Sequence, residues 1–162
     1  MRVKTVFVFL GAVALAASAL AETKVSGTAS CKSDPPTPVA IGDAEGHAYA
    51  VGKAQCTWTK FAIGGTPYKD GVSVWTEEMQ GEKSSSSGFH VATLENGDKC
   101  TCSFRGSSTA KDGKFVSGGG TWTYTSGTGK CKGIMGKGQY KGTPNADGTV
   151  TYEVSGKYTM RQ

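Results

Sequence analysis

The sequence of 162 residues lacks the features of a helical membrane protein or a hydrolase. It has one long apolar run, at the N-terminus, and a protein with several spanning helices needs a run of about 20 apolar residues for each of them. It has only two histidines and no nucleophile elbow, so a Ser-His-Asp arrangement is not supported. The charged fraction is 19% and the hydrophobic fraction is 37%, which is a globular rather than a disordered composition.

Motifs for cofactors and metals are also absent. There is no Cys-x-x-Cys pair, so neither a thioredoxin-like site nor covalently attached haem is indicated. The spacing of Cys100 and Cys102 is too narrow for a zinc knuckle. The segment Gly127–Gly133 has Cys131 where a phosphate-binding loop needs Ser or Thr, and further glycines follow where that loop should open a helix. The sequence therefore predicts no cofactor and no metal site.

The N-terminal residues 1–21 have the layout of a secretory signal peptide. Basic residues precede an apolar run from Val6 to Ala17, and Ala19-Leu20-Ala21 supplies small residues for cleavage. The run is short for a membrane span. We expect cleavage near Ala21, which would release residues 22–162 as a single secreted or periplasmic domain without a transmembrane segment.

Glycine is abundant, with 24 residues, and this disfavours a helical bundle because glycine costs about 1 kcal/mol in a helix interior. Strict alternation over Thr149–Met160 predicts a half-buried antiparallel strand, with Val150, Tyr152, Val154 and Tyr158 on one face. Turn signals separate the other segments. The predicted strands are Lys24–Ser30, His47–Val51, Cys56–Phe61, Val72–Glu78, Phe89–Leu94, Lys99–Arg105, Thr121–Thr125 and Thr149–Met160.

About eight short strands with tight turns predict an all-β fold, a closed antiparallel barrel, with a β-sandwich as the alternative. Closure would remove exposed strand edges. Two stretches read as irregular connections: Ser33–Gly46, which is rich in proline, and Gly81–Gly88, which contains four consecutive serines. A one-residue bulge within Gly118–Gly120 would place both Phe104 and Trp122 inside the barrel.

Five cysteines lie in the segment that we expect to be exported, where disulfides persist. An odd number leaves at least one thiol free or bonded to another molecule. We expect a Cys31–Cys56 disulfide, because it would tie down the proline-rich connection. Cys100, Cys102 and Cys131 are predicted to share the interior, and we expect a second bridge between Cys102 and Cys131. They could equally be small buried hydrophobic residues.

The charge is distributed unevenly along the chain. Residues 22–98 contain 6 basic and 10 acidic side chains, whereas residues 99–162 contain 10 basic and 3 acidic ones. The lysines of the second half stand singly among glycines and threonines, without the dense basic block of a nucleic-acid site. We therefore expect no nucleic-acid partner, and a contact with an acidic surface stays open as an alternative.

One stretch resembles a known superfamily. Residues 122–140 read WTYTSGTGKCKGIMGKGQY, which is similar to the Gly-Thr-Gly, Gly-Ile and Gly-x-Gly stretch of the allene oxide cyclase and dirigent barrels, and most similar to small exported bacterial proteins of that type. The likeness covers residues 88–160. It implies an eight-stranded barrel whose interior can hold an apolar small molecule. Plant members steer cyclisation or radical coupling of apolar substrates, but none of their catalytic residues can be placed on this chain.

The leading functional prediction is non-catalytic binding of a small apolar or amphipathic ligand inside the barrel. The predicted lining residues have flat apolar rings with polar tips: Trp58, Trp122, Tyr124 and Tyr152. One alternative is an isomerase or cyclase that acts on an apolar substrate. It needs an interior acid or base, for which Glu78 is the first candidate, while His90 is predicted to lie outside. The other alternative is a structural or surface-interaction protein that uses its basic face. The sequence predicts neither the ligand nor the oligomeric state.

Overall fold

A computed structural model describes residues 21–161. The predicted signal peptide lies outside the described residues, except for Ala21. Within the described residues, no helix has the length and apolar character needed to cross a membrane.

The described chain is almost entirely strand, with one short 3₁₀ turn, η1, at Gly129–Cys131. The strands are β1 Thr23–Ser33, β2 Val39–Ala40, β3 His47–Thr59, β4 Ala62–Ile63, β5 Thr66–Gln80, β6 Lys83–Leu94, β7 Lys99–Lys111, β8 Lys114–Gly127, β9 Ile134–Pro144 and β10 Val150–Met160.

Eight of these strands close into an antiparallel barrel. The pairing runs β3–β1–β10–β9–β8–β7–β6–β5, and β5 pairs back with β3 over residues 47–57 and 70–80. The short β2 adds to β3 and the short β4 adds to β5. The barrel prediction is therefore confirmed, and the sandwich alternative is wrong because β3 closes the sheet.

The two ends of the barrel differ. The β5–β6, β7–β8 and β9–β10 turns lie at one end, which we call the mouth, and segments 60–65, 95–98 and 128–133 lie at the other, which we call the floor. Large side chains that are at most 5% exposed fill the floor: Phe61, Ile63, Leu94, Cys131 and Ile134. The mouth has no comparable plug among residues 21–161, so the interior opens at that end.

Side chains alternate between the interior and the outer wall as the strand pattern requires. The predicted face of β10 is confirmed, since Tyr152 and Val154 line the interior and Tyr158 is buried. Phe104 is paired with Trp122, and both line the interior, as predicted. The bulge that sets this register is not at the glycines, however. Thr109 is paired with Ser117 and Ala110 with Phe115, so the extra residue is Val116 on β8.

Three details of the strand prediction are wrong. The predicted strands 47–51 and 56–61 are one long strand, β3, which ends at Thr59 before Lys60 and Phe61. The strand β9 has no counterpart in the prediction. The serines at 84–87 are not a flexible loop but part of β6. Their side chains alternate in exposure, and those of Ser84 and Ser86 line the interior.

Candidate functional site

The barrel interior contains a cavity of about 500 Å³. It runs from Tyr68 and Tyr124 near the floor to Glu82 and Asp112 in the mouth turns. A ligand pocket typically measures about 300–1,000 Å³, so this cavity has room for one small organic molecule.

All four aromatic residues predicted from the sequence line this cavity: Trp58, Trp122, Tyr124 and Tyr152. Six further aromatic residues line the cavity and were not among the binding candidates predicted from the sequence: Phe61, Tyr68, Trp75, Phe104, Phe115 and Tyr140. The Tyr140 ring packs edge-on against two other rings. Its centroid lies 6.0 Å from that of Phe104 and 5.9 Å from that of Tyr152. For Phe104 and Tyr140 the alternation of β7 and β9 was the available signal, whereas on β5 the apolar pattern indicates the face opposite to Trp75.

The opposite wall, on β1 and β3, is made of small residues. Ala29, Cys31, Ala54 and Cys56 are all buried and form their own packed cluster. Cys31 and Cys56 are directly paired across β1 and β3, with Cα atoms 4.0 Å apart, and form a disulfide, which confirms the first predicted bridge. Small side chains on this wall leave the central space unfilled.

The second predicted bridge is wrong in one partner. Cys131 pairs with Cys100, not with Cys102. Both paired residues are at most 1% exposed, at the floor, whereas Cys102 lies one alternation step further up β7 and lines the cavity as a free thiol. The sequence placed all three cysteines inside correctly. The 3₁₀ turn at Gly129–Cys131, which decides the partner, was not predicted.

Glycines face the large rings and make room for them. A Cβ atom placed on Gly138 or Gly156 would come within 2.6 or 2.5 Å of Cζ2 of Trp122. The two glycines are paired across β9 and β10, so together they form a recess under the indole. Gly52 does the same for Trp75, and Gly142 for Tyr152. The glycine content thus shapes the interior around its aromatic side chains.

His90 lies inside the barrel, which corrects the prediction that it points outward. It is 8% exposed, whereas its neighbour Phe89 is 57% exposed on the outer wall. The Trp58 indole N–H donates to Nε2 of His90 over 3.1 Å, so this nitrogen is an acceptor. The Nδ1–H can then donate to the Ser73 hydroxyl over 2.8 Å. Burial lowers the pKa of His90 to about 4, so the ring is neutral near pH 7 with both nitrogens engaged.

A tyrosine pair lies between the cavity and the floor. The hydroxyls of Tyr68 and Tyr124 are 2.8 Å apart in a buried hydrogen bond. Burial is the main cause that raises the pKa of both hydroxyls above the ordinary value. Burial also raises the pKa of the nearby Cys102 thiol to about 12. These groups are uncharged at neutral pH, so the lower cavity offers neutral polar tips on an apolar surface.

The interior carboxylate is Glu77, not Glu78. Glu77 lines the cavity near the mouth, accepts a hydrogen bond from the Trp75 indole over 3.3 Å, and contacts the Ser84 hydroxyl. Glu78 points to the outer wall, where its carboxylate lies 3.1 Å from Nε2 of His47. The apolar pattern of β5 predicts Val72 and Val74 inside the barrel, together with Glu78. Val74 is instead 46% exposed, so the interior and outer faces of β5 are the reverse of the prediction.

The Trp122 indole N–H is buried, and within residues 21–161 it has no hydrogen-bond acceptor. A buried polar group without a partner typically costs about 1–3 kcal/mol. Such a group in a cavity wall is expected to have a structural or functional reason.

Two comparisons, one with protein-family models and one with curated proteins, give no match for this chain. The function is therefore inferred from the geometry of the interior.

Proposed function

We propose that this protein binds a small apolar or amphipathic molecule in its barrel interior, without catalysis. The observation that supports this most is the cavity of about 500 Å³, closed at the floor, open at the mouth and lined by ten aromatic side chains: Trp58, Phe61, Tyr68, Trp75, Phe104, Phe115, Trp122, Tyr124, Tyr140 and Tyr152. Aromatic rings bury a large area at low entropic cost, and pockets of this kind are mostly apolar with a few placed polar groups.

The distribution of polarity supports an amphipathic ligand. The floor half has neutral tyrosine tips and apolar rings, whereas the mouth half has Ser84, Ser86, Ser108 and Glu77.

A matched pair of variants on β6 tests the proposal. Ser86 points into the cavity, and its neighbour Ser85 is exposed on the outer wall. We expect the neutral dye N-phenyl-1-naphthylamine to gain fluorescence saturably with the wild type and with Ser85→Trp, and to lose this gain with Ser86→Trp, because the new indole fills the cavity. Far-UV circular dichroism and a thermal melt establish that both variants fold. Saturable binding to a folded Ser86→Trp variant, or no binding to the wild type, would reject the proposal.

Export and family membership belong to the same proposal. We propose that the chain reaches an oxidising compartment by way of its predicted signal peptide, and the two cysteine pairs at disulfide distance are consistent with this. The barrel is also consistent with the resemblance to the allene oxide cyclase and dirigent superfamily, which stays a prediction. N-terminal sequencing of the protein purified from its native organism should begin at Glu22. A chain that still carries residues 1–21 would contradict export by this signal peptide.

Two alternatives remain hypotheses. The isomerase or cyclase now needs Glu77 as its acid or base, since His90 has both nitrogens engaged. The surface-interaction protein would use exposed lysines of the outer wall. One of them, Lys157, already has its Nζ 2.8 Å from a carboxylate oxygen of Glu22, and Lys141 lies opposite Glu153 in the register of β9 and β10. Retention on an anionic resin that is unchanged between low and high salt would count against the second alternative.

A further inference from the structure

The charge inside the barrel is opposite in sign to that of the whole protein. The full chain has a formal net charge of +5 at pH 7. Besides the uncharged tyrosine hydroxyls and the uncharged Cys102 thiol, the acidic and basic groups that line the cavity are the carboxylates of Glu77, Glu82 and Asp112, the single ammonium of Lys83, and the imidazole of His90. His90 is neutral, because burial holds its pKa at about 4. The lining therefore has three carboxylates against one ammonium.

Glu77 is the deepest of these carboxylates. Glu82 and Asp112 are exposed in the mouth turns, whereas Glu77 lies partly buried on β5 between Trp75 and Met79. Within residues 21–161 it is not part of any ion pair, and its hydrogen-bond partners are the neutral donors Trp75 and Ser84. A partly buried carboxylate without a counter-charge favours a cation beside it.

Two aromatic residues, Trp75 and Tyr152, lie near this carboxylate. Trp75 donates to it directly. Tyr152 is close enough for the Glu77 charge to add to the effect of burial, and both raise the pKa of the Tyr152 hydroxyl. Tyr140 packs edge-on against Tyr152. A cation held over ring faces and beside a carboxylate is stabilised by both, as in the aromatic cages that bind quaternary ammonium groups.

We infer that the ligand class is an organic cation with an apolar body, whose ammonium lies beside Glu77 while its apolar part extends down the cavity toward Trp58 and Trp122. This inference rests on the proposed function and specifies its ligand. It excludes fatty-acid-like anions as preferred ligands, because their carboxylate would face Glu77 in a poorly solvated space.

Three probes of nearly equal shape test the inference: (1-naphthylmethyl)trimethylammonium, its neutral carbon analogue 1-(2,2-dimethylpropyl)naphthalene, and 1-naphthylmethanesulfonate. Binding is followed by calorimetry and by tryptophan fluorescence, since all three tryptophans line the cavity. We expect the wild type to bind the cation about tenfold or more tightly than the neutral probe, which corresponds to about 1.4 kcal/mol, and the anion most weakly.

Glu77→Gln is the decisive variant, and Glu153→Gln is its control, because Glu153 is an exposed carboxylate on the outer wall of β10. In Glu77→Gln we expect the preference for the cation to vanish while the neutral probe binds as before, which also shows that the variant folds. Glu153→Gln should bind all three probes like the wild type. If Glu77→Gln does not fold, the wild-type order of the three probes and its loss in high salt decide the question.

The same measurements distinguish a failure of the inferred ligand class from a failure of the proposed function. If the neutral probe binds as tightly as the cation, or if Glu77→Gln keeps the preference, the inference is overturned while cavity binding stands. If the wild type binds none of the three probes, the proposed function fails together with the inference.

Discussion

Replacing Gly156 with alanine should destabilise the barrel by crowding the recess under Trp122. The added Cβ would lie 2.5 Å from Cζ2 of Trp122, 2.5 Å from the carbonyl oxygen of Lys137 and 2.8 Å from Cα of Gly138. Ordinary contacts between carbon atoms are about 3.5–4.0 Å, so the indole must retreat by about 1 Å or the backbone must separate. Overpacking of a core costs about 1–3 kcal/mol, and two backbone contacts place this site in the upper part of that range.

A cost of about 2–3 kcal/mol corresponds to a melting temperature lower by about 8–12 °C for a domain of this size. Equilibrium urea unfolding gives the same free energy independently. Ser155→Ala is the control, because Ser155 is the exposed neighbour on the same strand. We expect this variant to stay within about 0.5 kcal/mol of the wild type.

A double-mutant cycle with Trp122→Leu separates the ring contact from the backbone contacts. In the Trp122→Leu background we expect Gly156→Ala to cost about 1 kcal/mol less than in the wild type, which is a typical coupling for residues in contact. Equal costs in the two backgrounds, or a Gly156→Ala variant as stable as the wild type, would refute the view that glycine makes room for the interior rings.

Three further predictions concern the cysteines and the mouth. Cys56→Ser, which opens the disulfide across β1 and β3, should lower the free energy of unfolding by about 3.5 kcal/mol in the chain-entropy model for a sequence separation of 25; unchanged urea unfolding would argue against the bridge. The folded Cys102 thiol has a pKa of about 12 against an ordinary 9.0, so it should react with iodoacetamide at least about thirtyfold more slowly than a free thiol, because the higher nucleophilicity of its thiolate only partly offsets the smaller thiolate fraction. Rapid labelling would contradict its burial. The pKa of His47 is raised because its ring bonds the carboxylates of Asp43 and Glu78. Its contribution to stability is therefore complete below the ordinary pKa of 6.5 and is lost as the pH rises through the folded-state pKa. The melting temperature should fall over this pH range in the wild type and not in His47→Gln.

The fold followed from the sequence where side chains alternate clearly. Thr149–Met160 has large apolar residues at every second position, and it forms β10 with the predicted face inward. The cavity aromatics were found for the same reason. The count of eight strands was correct only because two errors cancelled: β3 was divided in two and β9 was missed.

The missed features have a common physical cause, because low-propensity residues form strands where the interior demands them. β9 has Gly136, Gly138 and Gly142 facing inward under the side chains of Tyr158, Trp122 and Tyr152, so only a residue without a side chain fits. The serines of β6 read as a solvated loop, yet two of them line the mouth of the cavity. Long-range packing decided both segments, and local propensity does not report it.

On β5 and β6 the wrong set of alternating side chains was predicted to face the interior. Val72, Val74, Phe89 and Val91 were assigned to the interior because they are apolar, but Val74 and Phe89 are 46% and 57% exposed. Interior positions go instead to Ser73, Trp75, Glu77 and His90. A barrel that encloses a polar-edged cavity weakens the rule that the apolar face of a strand is the buried one, so Glu77 could not be found from the pattern alone.

Native mass spectrometry of the protein purified without unfolding from the organism that makes it tests the central claim most directly. We expect a fraction of the protein to carry one small molecule that is released by gentle activation, and that same fraction to be absent from Ser86→Trp purified in parallel. A uniform mass equal to that of the bare chain, in a preparation that also fails to take up added N-phenyl-1-naphthylamine, would contradict the account.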